Sequence, residues 1–261
     1  MADPIEQFKI EKIVELPDVT VPGLGLVDLA ITNSHVAMTI AFAIIVLFLT
    51  VVTSGAKVVP GRLQAAGETL FGLIDNLTDS IIGHDGKKYF PFVFTVFTLI
   101  LAMNLLGMFL TFTATAQLAV TATFALLTFG LVLVIGFAKN GFKFFLLFWP
   151  TGAPLVMRPI VGFIEFIAFM LRPLTLALRL FGNMLGGHVA LKVFAGFVVS
   201  LGALAAGGGF GLLGLPAAGL SLGMVLGLTA LEFLVAFLQA FVFAVLTCIY
   251  LNDVVNLGEG H

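Results

Sequence analysis

Charged residues are scarce in this chain and absent from long stretches of it. Only 10% of its 261 residues are charged and 60% are hydrophobic, whereas a soluble domain carries roughly 25% charged residues. No Asp, Glu, Lys or Arg occurs between Lys88 and Lys139, or between Lys192 and Glu232. Each gap exceeds the roughly 20 apolar residues that cross a bilayer as a helix. The sequence therefore predicts an all-α, polytopic membrane protein.

Cysteine is nearly absent from the chain, and its basic residues do not cluster. The single cysteine, Cys248, lies in an apolar run, which excludes an internal disulfide framework and a cysteine-rich metal site. The basic residues occur singly or in pairs, and the net charge is -2, so nucleic-acid binding is not expected. The first residues are acidic and mixed, so we expect no cleaved signal peptide. No metal or other cofactor is expected.

The first third of the chain predicts an arm, a span and an interfacial helix. Residues 1–30 are polar and broken by Pro and Gly, so we expect a short external arm with one helical turn and no chemistry. Residues 31–261 are expected to form a single membrane domain. Ser34 is expected to cap a first span over 35–53. Over 62–82, apolar residues recur every three or four positions with charges between them, which predicts an amphipathic interfacial helix.

The rest of the chain predicts two helical hairpins, which brings the membrane-embedded helices to about five. The uncharged stretch 89–138 is about two crossings long, and its polar interruption at 111–117 is the expected turn. A helix-permissive stretch over 158–206 predicts a very long or strongly tilted helix. The glycine-rich segment 206–216 is expected to be a loop. The last two helices then form a long hairpin over 158–252.

The basic residues predict the orientation, because cytoplasmic loops carry the excess of Lys and Arg. The turns at 111–117 and 206–216 have no basic residue, so we place them outside, with the N-terminus outside and the C-terminus cytoplasmic. The two remaining loops should face the cytoplasm. Their basic residues are Lys57, Arg62, Lys87, Lys88, Lys139, Lys143 and Arg158.

Seven polar side chains interrupt the apolar sequence of the last two helices. Arg or Asp at the centre of a membrane helix costs roughly 2.5 to 3.5 kcal/mol on insertion scales, so such residues usually face a partner or a water-filled path. They are the functional candidates of this chain. The seven are Glu165, Arg172, Arg179, His188, Lys192, Glu232 and Gln239.

Helical spacing sorts these candidates by face. Glu165, Arg172 and Arg179 are seven residues apart, which returns to nearly the same face of a helix, and Asn183 extends that stripe. His188 is turned about 180° from Arg179 and lies roughly 13.5 Å further along the axis. On the last helix, Glu232 and Gln239 are again seven apart and form one polar edge.

Structural interpretations of several candidates remain open. Glu165 and Arg172 could be an ion pair that neutralises itself, and Lys192 and His188 could snorkel or be satisfied on a tilted helix. Glu232 favours function, because no cation lies near it on its own helix. Small residues four apart let helices approach closely, either within the chain or against a partner. Two such sets occur: Gly182, Gly186 and Ala190 on the first long helix, and Gly219, Gly223 and Gly227 on the last. For the set on the last helix, packing within the chain is favoured.

Four motifs together resemble subunit a of F-type ATP synthases, and the resemblance covers roughly residues 30–255. Arg179 in LRLFGNM matches the arginine that this family requires. The family's paired ionisable positions fall on His188 and Glu232, the arrangement of mitochondrial and related alphaproteobacterial members. Gly107 departs from members that have an acidic residue there. The motifs are RPLTLALRLFGNMLGGH (172–188), IEF with Glu165, MNLLGM with Asn104, and EFLVAFLQAFVFAVLTCIYL (232–251).

The resemblance implies a proton-conducting subunit that is not catalytic by itself. Its partners would be a c-ring, peripheral-stalk b subunits and the lipids of a bacterial inner membrane, with protons as the only small substrate. Two half-channels would meet the ring on either side of Arg179, which cannot itself relay protons because it stays protonated. Whether the ion is a proton or sodium stays open. The path would be lined by Glu232, His188, Asn183 and Gln239, with Glu165, Arg172 and Asn104 as further candidates.

Two other classes of function are compatible with a polytopic helical chain. A secondary transporter would hold its own substrate site and usually shows internal repeats, but neither Arg179 nor Glu232 recurs in a repeated motif. A membrane scaffold would tolerate joint replacement of its intramembrane charges. Co-purification with a ring of small hairpin subunits would separate these classes.

Overall fold

Six α-helices make up most of the computed structural model. It describes residues 12–15, 19–21, 25–27, 30–55, 57–109, 113–149, 157–206 and 214–257. All helices except the second are long and apolar enough to cross a membrane, which confirms the predicted polytopic all-α class. The helices are α1 (Asn33–Ser54), α2 (Arg62–Ile82), α3 (Gly86–Phe109), α4 (Leu118–Asn140), α5 (Arg158–Ala206) and α6 (Gly214–Val255).

The N-terminal arm is extended wherever it is described. Strand β1 (Lys12–Glu15) pairs antiparallel with β4 (Ala30–Thr32), and β2 (Val19–Val21) pairs antiparallel with β3 (Gly25–Val27). The expected helical turn is not found in these residues, and the remainder of the arm lies outside the described residues. Val, Ile and Thr are frequent in these segments and favour strands.

Helix α1 begins two residues earlier than predicted, and Ser34 is not its cap. The residue before the helix is Thr32, whose backbone N–H donates to His35 Nδ1 at 3.2 Å and whose hydroxyl lies 2.9 Å from the same nitrogen. A side chain three residues on that accepts from the capping residue's N–H is the arrangement of a capping box. Ser34 lies inside the helix, and its hydroxyl donates to Gln117 Oε1.

Helix α2 has the predicted bounds. Its buried face carries Gly67, Ile74, Thr78 and Ile82. Gly67 has no room for a side chain, because a Cβ there would lie 2.7 Å from Val52 Cγ1. The interfacial position of α2 stays a prediction.

The predicted hairpin of α3 and α4 is present, with a 3₁₀ turn at Ala114–Ala116 between the helices. Residues 110–112 of the expected turn lie outside the described residues. A second 3₁₀ segment, Gly141–Phe148, follows α4 and was not predicted. Its buried Phe144 contacts the rings of Phe137 and Phe169, so this apolar segment is held by aromatic packing.

The last two helices are longer than a bilayer is thick. Helix α5 has 49 residues and α6 has 42, or about 70 Å and 60 Å, against roughly 30 Å of hydrocarbon. Pro173 lies inside α5 without interrupting it. Helix α6 begins at Gly214, so the end of the expected loop is helical, and Pro216 is tolerated in a first turn. Residues 207–213 lie outside the described residues.

The chain forms two compact units. Unit A contains residues 1–41, 103–117 and 180–238, and unit B contains 42–102, 118–179 and 239–261. Unit A thus holds the end of α3, the turn after it and the facing parts of α5 and α6 that carry His188 and Glu232. Unit B holds α2, α4 and the parts of α5 and α6 that carry Arg172 and Asp253.

Candidate functional site

Glu232 and His188 form a buried pair in unit A. The Nδ1 atom of His188 lies 3.8 Å from Oε1 of Glu232, and the two side chains are 10% and 11% exposed. That distance is too long for a direct hydrogen bond. Neither carboxylate oxygen of Glu232 has a hydrogen-bond partner among the described residues, although both are buried. A buried carboxyl group without partners costs stability, so its presence in an apolar helix favours a functional role.

Gly187 gives Glu232 room to approach α5. A Cβ atom built on Gly187 would collide with Glu232 Oε1 and would lie 3.1 Å from its Cγ. Only a residue without a side chain therefore fits at this position while the carboxyl group keeps its place beside His188.

The other ring nitrogen of His188 contacts the turn after α3. Its Nε2 atom lies 3.1 Å from the hydroxyl of Thr113, and that hydroxyl donates to the carbonyl oxygen of Gly107 at 3.1 Å. A Cβ at Gly107 would collide with the Thr113 side chain. The Gly107 departure noted in the sequence therefore gives Thr113 the space to reach His188.

Asn104 lies in the same unit and holds the backbone of α6. Its Nδ2 donates to the carbonyl oxygen of Ala236 at 3.1 Å, one turn beyond Glu232. Its Oδ1 atom is buried and has no hydrogen-bond partner within the described ranges. Lys192, one turn beyond His188 on α5, is a charged neighbour of that histidine.

Arg179 lies on an exposed face of α5. Its guanidinium forms no hydrogen bond or ion pair with any residue that the structure describes, and its side chain is exposed. Gly182, Asn183 and Gly186 follow at three- and four-residue spacing and are also exposed, as expected for one helix face. A Cβ at either glycine would meet nothing within 4 Å, so this face is smooth beside the cation.

Arg172 is held inside unit B, which the sequence did not predict. It donates to Asp253 Oδ2 at 2.6 Å, and its guanidinium carbon lies 5.2 Å from the centre of the Phe169 ring and 4.8 Å from that of Tyr250. The suggested ion pair with Glu165 is wrong: Glu165 is exposed and has no ion-pair partner in the described part of the chain. Aspartate has a shorter side chain than glutamate, but Asp253 lies close enough for the guanidinium of Arg172 to reach its carboxylate.

The glycine stripe of α6 is not packed against any part of the chain that the structure describes. Gly219, Gly223 and Gly227 are exposed, and a Cβ at each would have no neighbour within 4 Å among the described residues. The expectation that these glycines pack helices inside the subunit is therefore wrong. Gln239, by contrast, is buried in unit B at 7% exposure.

Three residues of these sites were missed from the sequence. Thr113 lay in the polar interruption 111–117, which was interpreted only as a turn. Gly187 lay in the LGGH motif beside a candidate, and Asp253 was the first charge after the last apolar stretch. In the described part of the chain, no three His, Cys, Asp or Glu side chains converge to hold a metal ion.

Known proteins resemble this chain over nearly its whole length. The family described as ATP synthase A chain matches residues 35–252. The protein "ATP synthase subunit a" of Rhodopseudomonas palustris is 48% identical over 259 residues, covering 99% of each chain. The proteins of that name from Rhizobium etli and Rhizobium johnstonii are also 48% identical, over 260 and 261 residues, and the matches cover 99% or more of each chain.

Proposed function

The chain belongs to the ATP synthase A chain family and is a component of the membrane sector of a bacterial ATP synthase, and from that premise we propose how it works. It is the stationary subunit that conducts protons to and from a rotating c-ring through two offset half-channels. Arg179 separates the half-channels, and Glu232 and His188 carry protons in one of them. The observation that carries the proposal is the guanidinium of Arg179, which has no partner in the described part of the chain.

A guanidinium without a partner among the described residues favours a partner from outside the chain. A bare cation facing lipid costs several kcal/mol, and such residues face partners or water-filled paths. The glycines beside Arg179 leave the α5 surface smooth, so another helix could approach it closely. A c-ring helix that carries a carboxylate fits this face. Arginine stays protonated, so it would hold that carboxylate ionised and block direct proton leakage between the half-channels.

The His188 and Glu232 pair supports the proton path. Both groups can change protonation, and the 3.8 Å between them is a distance that one bridging water or a small side-chain rotation would close. Asn183 and Gln239 would line water-filled parts of the path, and Asn104 would fix the α6 backbone beside Glu232. We assign Arg172 an anchoring role because Asp253 and two aromatic rings hold it. Glu165 remains a candidate at the edge of the path.

The orientation and the other partners are part of the same proposal. The N-terminus would be periplasmic and the C-terminus cytoplasmic, following the distribution of basic residues. The peripheral-stalk b subunits would hold this chain still while the ring turns. Co-purification of the c-ring with the full-length chain would favour this proposal over a self-contained transporter or a scaffold.

The test compares the same substitution at two arginines of α5. In vesicles that contain the assembled enzyme, we expect Arg179→Lys to abolish proton-driven ATP synthesis and Arg179→Ala also to let protons leak. Lysine offers a compact charge that can lose its proton in an apolar setting, whereas arginine presents a planar fork of five donors. Arg172→Lys is the matched control, because its partners lie inside the chain.

The measured quantities are the ATP synthesis rate, the proton uptake and the subunit content of the vesicles. We expect Arg172→Lys vesicles to make ATP at a rate near that of the unmodified enzyme. Near-normal synthesis in Arg179→Lys vesicles would show that Arg179 is not the gate and would overturn the proposed mechanism.

A further inference from the structure

We propose that Thr113 fixes the protonation pattern of the His188 ring, so that His188 exchanges its proton with Glu232 through Nδ1 only. The inference concerns a positioning residue, because Thr113 acts through the histidine. It rests on the proposed function for its consequence in transport, but its structural content can be tested separately.

The hydroxyl group of Thr113 donates its proton in a hydrogen bond to the carbonyl oxygen of Gly107. Gly107 lies in the last turn of α3, which ends at Phe109, where carbonyl oxygens can accept hydrogen bonds from side chains. The Thr113 hydroxyl donates to that oxygen at 3.1 Å. A carbonyl can only accept, and leaving a buried carbonyl unpaired costs free energy. The Thr113 hydroxyl proton therefore points at Gly107 and not at the histidine.

The hydrogen bond from Thr113 to Gly107 determines the tautomer of His188. A hydroxyl that has donated its one proton can only accept at its remaining contacts. The contact at 3.1 Å with His188 Nε2 is therefore a hydrogen bond in which Nε2–H donates to Thr113. In a neutral imidazole one nitrogen carries the proton and the other is an acceptor. The lone pair is then on Nδ1, the atom that faces Glu232 at 3.8 Å.

The proton step follows from that tautomer. Protonated Glu232 gives its carboxyl proton to Nδ1 of neutral His188, which leaves a carboxylate and an imidazolium with protons on both nitrogens. The reverse step returns the Nδ1 proton and restores the Nε2–H form, which Thr113 stabilises. Nε2 keeps its proton throughout, so the ring exchanges protons with Glu232 at Nδ1 and passes none to Thr113.

The experiment reads the tautomer directly in the full-length chain in lipid vesicles. Histidine labelled with ¹³C and ¹⁵N allows the protonated nitrogen to be assigned, because Nε2 is the only ring nitrogen bonded to Cδ2. His188 is assigned by its loss in His188→Gln, since the chain has 4 histidines. We expect the neutral ring to carry its proton on Nε2, and Thr113→Ser to keep this pattern because serine retains the hydroxyl.

Thr113→Val removes the acceptor while keeping the shape. We expect the share of the Nδ1–H form to rise roughly ten-fold, the effect of one lost hydrogen bond, because Nδ1–H can then donate towards Glu232. Thr115→Val is the matched control, since Thr115 is also buried in this turn but its hydroxyl has no hydrogen-bond partner among the described residues. It should leave the tautomer unchanged.

Two results would overturn the inference. The first is an Nδ1–H ring in the unmodified chain, which requires no variant to fold. The second is an unchanged share of the Nδ1–H form in Thr113→Val, since that variant lacks the hydroxyl that accepts from Nε2–H. In transport, we expect Thr113→Val to slow ATP synthesis several-fold and Thr113→Ser to keep it near the unmodified rate. Failure of the proposed function is distinguishable, because an inactive proton path at Glu232 would leave the tautomer of His188 as stated.

Discussion

At the scale of single residues, Arg172 and Arg179 of α5 differ in what holds them. Arg172 has a carboxylate partner and two aromatic rings inside unit B, whereas Arg179 is exposed. A guanidinium that is satisfied inside the chain contributes mainly to packing, and truncating it would leave Asp253 unpaired. The same residue type therefore serves two purposes on one helix, and sequence spacing alone does not distinguish them.

Glu232 carries the clearest residue-scale prediction. We expect Glu232→Gln to slow proton-driven ATP synthesis by roughly a hundred-fold or more, the contribution of a positioned proton donor or acceptor. The amide has the same shape but cannot carry the proton. Thermal stability should not fall, because the carboxyl oxygens have no hydrogen bonds to lose in the described part of the chain. Synthesis rates and the midpoint of thermal unfolding are measured on the assembled enzyme.

His188→Ala is the comparison for this substitution. It should slow synthesis less than Glu232→Gln does, because water can occupy the space of the ring and pass protons. An assembled Glu232→Gln enzyme that makes ATP at the unmodified rate would contradict the assignment of Glu232 to the path.

At the scale of helices, the glycines divide into those that permit packing and those that leave a surface open. On α4, a Cβ at Gly136 would lie 2.6 Å from Phe144 Cε2 and 3.3 Å from Val254 Cβ, whereas a Cβ at Gly130 would meet nothing within 4 Å. Close approach of α4, the following 3₁₀ segment and the end of α6 in unit B thus depends on Gly136. Asn140 adds a hydrogen bond to the carbonyl oxygen of Val254 at 2.6 Å.

The same substitution at these two glycines should have opposite effects. We expect Gly136→Ala to destabilise the chain by about 1 to 3 kcal/mol, the usual cost of overpacking, because the buried Phe144 ring must move. Gly130→Ala should stabilise it by roughly 0.5 to 1 kcal/mol, since alanine loses less backbone entropy in a helix. The midpoint of thermal unfolding in detergent measures both. Equal shifts would show that the contact at Gly136 is not tight.

At the scale of the whole molecule, the orientation can be tested on one helix. Helix α4 has 23 residues, about 35 Å, which is enough to cross the hydrocarbon layer. Leu118 at its start is 44% exposed and Phe142 beyond its end is 93% exposed. Cys248, the single native cysteine, is fully buried, so Cys248→Ser should give a clean background for labelling.

We expect Phe142→Cys to react with a membrane-impermeant thiol reagent from the cytoplasmic side and Leu118→Cys from the periplasmic side. The reason is the excess of basic residues in the loop after α4. Right-side-out and inverted vesicles provide the two sides, and permeabilised vesicles show that both cysteines can react. Labelling of both positions from one side would refute the topology.

The sequence alone determined the helices and the candidate residues. Charge-free stretches longer than a bilayer require helices, so the spans and the bounds of α2 and α5 followed from composition and periodicity. The arginine motif around Arg179 and the ionisable positions His188 and Glu232 were also visible. Boundaries failed where capping or local pairing decides them, as at Ser34 and in the strands of the arm.

Only the tertiary structure decided which side chains meet. Arg172 pairs with Asp253, 81 residues away, and His188 meets Thr113, 75 residues away. Helical periodicity orders residues on one helix, but it carries no information about which residue of another helix lies opposite. Close approach at Gly187 likewise depends on where the Glu232 side chain lies. These contacts are set by packing between distant segments, which is why they could not be derived from spacing along the chain.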